Sequence, residues 1–122
     1  MPGILCDEST HGNLTKAFHR RARLGEQPSI EVLRVGDAGC PAYGTQDPEL
    51  LVWCEENDFI LVSDDRTTLP KHLQDHLALG RHSPGILLVK HNSTIQKIIE
   101  SVVLVVSVDP ELCRDQWVFI PL

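Results

Sequence analysis

The stretch FILVSDDRTTLP, residues 59–70, decides how this chain is read. Phe59 to Ser63 form an apolar run suited to a buried strand. It ends in two adjacent aspartates, Asp64 and Asp65, and then in Thr67, Thr68, Leu69 and Pro70, as if a helix were about to start. A strand buried on both faces has no place for charge along its length. The two carboxylates therefore mark where the chain leaves the core, and what they do there is the question.

Working outward, short apolar runs alternate with segments of helical period. GILC (3–6), IEVLRV (30–35), GILLV (85–89) and WVFIPL (117–122) read as further strands. NLTKAFHRRARL (13–24) sets Leu14, Ala17, Phe18 and Ala22 against Lys16, Arg20 and Arg23, the pattern of an amphipathic helix. DPELLVWCEEN (47–57) is a helix in which Asp47 suits the N-cap and Pro48 the first helical position. LPKHLQDHLALG (69–80) is a helix closed by glycine. Ser93 and Gln96 have the spacing of a capping box opening STIQKIIESVVLVV, and DPELCRDQ predicts a short helical turn before the last strand. A long, glycine-rich loop, GDAGCPAYGTQ, precedes Asp47. Continuous apolar strands alternating with helices predict one domain over 1–122, an α/β fold with a mainly parallel sheet of about five strands covered on both faces. Right-handed crossovers bring every strand's C-terminal end to one edge, where open α/β sheets bind ligands.

Composition narrows the function. The chain has 122 residues, 42% hydrophobic, with a net charge of −6, so its overall field repels nucleic acid and anionic membranes. A phosphate-bearing substrate then needs a local basic patch or a bound cation. The longest apolar run, VVLVV at 102–106, is far short of a membrane span. Cys6, Cys40, Cys54 and Cys113 form no CxxC pair; without a recognisable signal peptide they read as reduced thiols, and the expected location is the cytoplasm. Cys6, Trp53 and Trp117 read as core.

Acids collect at the predicted edge: Asp7 and Glu8 after the first strand, Asp64 and Asp65 after the third, Asp47 and Glu49 where the intervening helix starts. Like charges a few ångströms apart repel, by about 4 kcal/mol at ~4 Å and an effective dielectric near 20. A divalent metal reverses the sign. Mg²⁺ or Mn²⁺ prefers hard oxygen ligands and can activate water against a phosphodiester.

ILCDES, VGDAGCPAYGTQDPELLVWC and ILVSDDRTTLP, in that order and spacing and with the ending WVFIPL, resemble the PIN-like domains, specifically a short PIN-like group, over nearly the whole chain. The resemblance implies a three-layer α/β/α sandwich and a metal-dependent endoribonuclease, often the toxin of a toxin–antitoxin pair. Matched residue by residue, it implies that Asp7, Asp47 and Asp65 are the catalytic, metal-binding acids, with Asp64 and Glu8 as weaker candidates. Where the family commonly carries a further Asp or Asn, this chain has Thr67, which can act only through a water. The partners considered are an RNA substrate, a small antitoxin protein and a second copy of the chain; no membrane is expected.

Plainer readings stand beside these. The repeated DPEL at 47–50 and 109–112 suggests capping for Asp47, and strand-end turns favour aspartate at Asp64 and Asp65. Glu49 and Asp37 read as solvated. Lys16, Arg20 and Arg23, with His19 and Arg21, could contact an RNA backbone or simply face water. His72 and His76 stand at i, i+4 but lack the glutamate of a zinc-protease helix. Two other functions fit: a PIN-like protein that binds a partner after losing catalysis, and a phospho-accepting receiver-like domain. The latter lacks a serine or threonine after the fourth strand, where Lys90 stands, and a lysine after the fifth.

Overall fold

The computed structural model describes residues 2–10, 12–23 and 30–122, with the backbone alone for residues 22 and 23. Five strands form one parallel sheet: β1 (Gly3–Cys6), β2 (Val32–Arg34), β3 (Phe59–Ser63), β4 (Ile86–Val89) and β5 (Trp117–Ile120), in the order β2-β1-β3-β4-β5. The helices are α1 (Gly12–Arg23), α2 (Asp47–Asn57), α3 (Leu69–Ala78) and α4 (Ile95–Val108), and a 3-10 turn at Pro110–Cys113 leads into β5.

Strand alternation sorts the side chains into two cores. Ile4, Cys6, Val32, Ile60, Val62, Leu87 and Ile120 face α1 and α4, meeting Leu14, Phe18, Ile98, Val102, Val105 and Val106. Leu5, Phe59, Leu61, Ile86 and Leu88 face α2 and α3, meeting Leu50, Leu51, Cys54, Leu69 and Leu73. The protein is thus a three-layer α/β/α sandwich. Each fully buried Leu, Ile or Phe contributes about 1.5–3 kcal/mol of transfer free energy. Trp53 and Trp117 pack against the second core, and the Trp53 and Phe59 rings lie 5.0 Å apart.

The layers assign each crossover a hand. The crossovers through α1, α2 and α3 share one hand, whereas the β4–α4–β5 crossover has the other, because α4 lies on the α1 side. Right-handed crossovers are the strong rule and the expectation from sequence. The exception follows from burial. With α1 alone on its face, Leu87, Val118 and Ile120 would lack cover, and α4 brings Val102, Val105 and Val106 over them.

Several local expectations are corrected. The strand predicted over 30–35 is confined to Val32–Arg34, and β4 starts at Ile86, after Gly85. Asp47 is the first residue of α2 and not its cap; Gln46 holds that position, without a side-chain bond. Asp109 in the second DPEL also makes no side-chain cap, so the repeat reflects proline placement. The capping box at Ser93 is displaced by one residue: Thr94 caps α4, its Oγ1 accepting from the Lys97 amide at 3.3 Å, while Ser93 Oγ donates to the Lys90 carbonyl. The predicted end of the first helix at Leu24 lies outside the described residues. No helix among the described residues is long and apolar enough to cross a membrane.

Candidate acidic site at the sheet switch point

From β1 the chain moves to one neighbour, β2; from β3 it moves the opposite way, to β4. The crevice where that direction reverses, beyond the C-terminal ends of the strands, is where open α/β sheets bind ligands. Asp7 and Asp65 follow the two strands that bound it.

The register fixes the first contact. Cys6 pairs with Val62, so Asp7 falls beside Ser63. The Ser63 hydroxyl, on the α2/α3 face like Leu61, donates to Asp7 Oδ2 at 3.0 Å and accepts from the Asp65 amide at 3.1 Å. Asp7 also accepts from the Glu8 amide at 2.7 Å and, weakly, from Ser9 Oγ at 3.4 Å. It is only 7% exposed, and no basic side chain within the described residues forms an ion pair with it. A buried carboxylate held by amide and hydroxyl donors alone keeps an unmet demand for positive charge.

Asp47 enters from the start of α2. Burial raises its pKa, and the negative charge of Asp7 raises it further, with Asp65 and Glu8 adding to the effect; His72, whose Nε2 lies 3.8 Å from Asp47 Oδ2, acts against them. Asp47 therefore feels the charges of three other carboxylates, Asp7, Asp65 and Glu8.

Asp65 is held differently. Its Oδ1 accepts from the Thr67 and Thr68 amides at 3.2 and 3.1 Å and from Thr67 Oγ1, and its Oδ2 accepts from Thr68 Oγ1. The Thr68 hydroxyl, more than the amides, keeps its pKa below the ordinary value. Asp65 thus ties down the turn into α3. Glu8 is exposed and accepts from the Gly44 amide at 3.2 Å, so it anchors the glycine-rich loop. Asp64 leaves toward the opposite face, where it lines a cavity of about 220 Å³ with Thr10, Ser93 and Ile95. Alternation has sent the two adjacent aspartates to different layers.

The basic stripe lies apart from Asp7, Asp47 and Asp65. Lys16 and Arg20 are exposed and line a groove of about 910 Å³ with His19, Arg21 and Gln96, on the α1/α4 side; the Arg23 side chain is outside the described residues. Two other cations flank the site and were not singled out in the sequence. The Arg34 guanidinium, at the end of β2, donates to the carbonyls of Glu8 and Thr10 and to Thr10 Oγ1. Arg66 donates to the Val89 carbonyl at 2.7 Å and to His91. Neither is paired with a carboxylate among the described residues. Ser63 was also missed, although its parity with Leu61 was a usable signal.

Among the described residues, no three His, Cys, Asp or Glu side chains are grouped closely enough to hold a metal ion together. His72 and His76 part company: His76 is buried against Glu55 and the His82 carbonyl. The donor chemistry still fits a hard cation. Mg²⁺ commonly takes one or two protein carboxylates and keeps waters elsewhere, and the charge of Asp7 reaches Asp47 strongly enough to help raise its pKa. No family model, curated protein or solved structure matches this chain. Burial pushes the Cys6 and Cys113 thiols up to about 11.

Proposed function

We propose that this chain is a Mg²⁺- or Mn²⁺-dependent endoribonuclease, as its resemblance to the short PIN-like domains implies. The observation that carries the reading is Asp7: a buried carboxylate at the switch point, without a cationic partner among the described residues, whose charge adds to burial in raising the pKa of Asp47. Asp7 and Asp47 would hold the ion, which when bound supplies an activated water and stabilises the departing oxyanion. Ser63 fixes the Asp7 carboxylate by its hydroxyl. Asp65, whose pKa its threonine donors lower, adds a further negative charge that Asp47 feels. Arg34 and Arg66 flank the acids and are suited to a phosphate.

The test is cleavage of a labelled single-stranded RNA by pure protein. Cleavage is expected with Mn²⁺, is suppressed by chelator, and falls to background in Asp7→Asn and Asp47→Asn. Metal-independent cleavage, or activity undiminished in both variants, overturns the proposal.

A second reading, a PIN-like protein that binds a partner without catalysis, draws on Asp65. Both its oxygens already serve the turn, and Thr67 stands where the family commonly carries an Asp or Asn. Calorimetric titration separates the two, since absence of Mn²⁺ binding at any attainable concentration favours the second.

A further inference from the structure

Tyr43 is the chain's sole tyrosine and is 68% exposed. Aromatic side chains make up only 5% of this sequence, and most are used inside: Phe18 and Phe59 are buried, Trp53 and Trp117 pack on the core. Leaving a large ring in water forgoes its burial energy. The position of this one is specified.

The loop that carries it, residues 36–46, is internally bonded. The Gly36 amide donates to the Pro41 carbonyl at 2.8 Å, and Thr45 Oγ1 donates to the Ala42 carbonyl at 2.6 Å. Gly36 has φ +98°, and a Cβ there would collide with three atoms of the Tyr43 ring. Glycine is therefore what lets the ring rest against the backbone. One residue further on, the Gly44 amide donates to the Glu8 carboxylate, which tethers the ring to the segment directly after Asp7. Arg34 is joined to the same segment through the Glu8 and Thr10 carbonyls. An aromatic surface and a guanidinium without a carboxylate partner thus lie on the β2 side of the acidic crevice, both fastened to residues 8–10.

We propose that Tyr43 is a stacking platform for an unpaired nucleobase of the RNA substrate, with Arg34 receiving a phosphate of the same strand; this rests on the endoribonuclease reading above. Stacking is tolerant of sequence, since every base has a π-face, and it requires that the base be free of a duplex. The substrate class is accordingly single-stranded RNA or a loop.

The test uses the full chain in chelator, so that binding is read without cleavage. The probe is a short single-stranded RNA carrying 2-aminopurine, followed by anisotropy for affinity and by fluorescence quenching for stacking. Tyr43→Ala is expected to weaken binding about tenfold and to relieve the quenching. Tyr43→Trp and Tyr43→Phe are expected to keep both, because the ring and not the hydroxyl is used. A blunt RNA duplex should bind Tyr43→Ala and wild type equally. Melting curves confirm that each variant is folded. Binding and quenching unchanged in folded Tyr43→Ala overturn this inference alone and leave the nuclease reading standing. Failure of the wild type to bind any RNA in chelator overturns this inference, and failure to bind or cleave RNA with Mn²⁺ as well overturns both.

Discussion

The two edges of the sheet handle charge differently. At the N-terminal edge two acids, Glu55 and Asp115, each meet a basic side chain and an amide. Glu55 accepts from Arg81 Nε at 2.9 Å and from the His82 amide at 3.1 Å, and His76 Nε2 lies 3.1 Å away. Asp115 accepts from the Ser83 amide at 2.8 Å and from His82 Nδ1 at 3.1 Å. These pairs fasten the ends of α2 and α3 to the loops entering β4 and β5. At the C-terminal edge Asp7 and Asp65 accept from amides and hydroxyls. Asp47 lies beside His72 and also feels the charge of Asp7, and the guanidiniums of Arg34 and Arg66 donate to carbonyls. Glu55 and Asp115 are met by basic side chains of the fold, whereas Asp7 has no ion-pair partner among the described residues. On the proposal above, a bound cation supplies the missing charge.

The largest test of this contrast is metal itself. Free Mn²⁺ at a hundred times its dissociation constant is expected to raise the unfolding free energy by about 2.7 kcal/mol. In a chain of this length that is roughly 10 °C in melting temperature. Asp7→Asn should abolish the shift and Glu55→Gln should retain it. A melting curve indifferent to Mn²⁺ would break the comparison at its functional end. The next effect tests the structural end. Glu55→Gln removes a charged acceptor from Arg81 and from the buried His76, and is expected to cost about 2 kcal/mol. Urea unfolding should show a lower midpoint at unchanged slope.

Much of the fold could be read from the chain before its structure. GILC, FILVS and DPELLVWCEEN became β1, β3 and α2 at the predicted bounds, because buried parallel strands and a proline-marked helix start carry strong local signals. That Asp7 and Asp65 lie at one edge of the sheet followed from topology alone, since parallel strands share an edge. What escaped was anything set by register or by a non-local balance. Ser63 bridges Asp7 and Asp65 only because Cys6 pairs with Val62, which no local pattern states. The reversed α4 crossover answers a demand for cover on one face, and the local sequence of α4 is silent on it. The helix caps failed by one residue, where Thr94 competed with Ser93 and Gln96 preceded nothing but its own turn. Arg34 and Arg66 look like ordinary surface cations until their carbonyl partners are seen.

The smallest expected effect sharpens the contrast most, because its sign is opposite at the two edges. Asp47 has its pKa raised above 3.8 by burial and then by Asp7, with Asp65 and Glu8 adding and His72 opposing. A carboxyl with a raised folded value holds its proton better folded than unfolded. The contribution of Asp47 to folding stability therefore falls as pH climbs from 3.8 to that raised value, and the deficit persists at every higher pH. Asp47→Asn removes the deficit. In chelator, the variant should melt at a higher temperature than wild type near neutrality, by less than Glu55→Gln lowers it. The gain should shrink as pH drops through that window and vanish below 3.8, where the wild-type carboxyl is protonated in both states. Melting of the two proteins from acid to neutral pH measures it directly. A loss of stability in Asp47→Asn at neutral pH would mean that this carboxylate serves the fold as Glu55 does, and the two edges would no longer differ in kind.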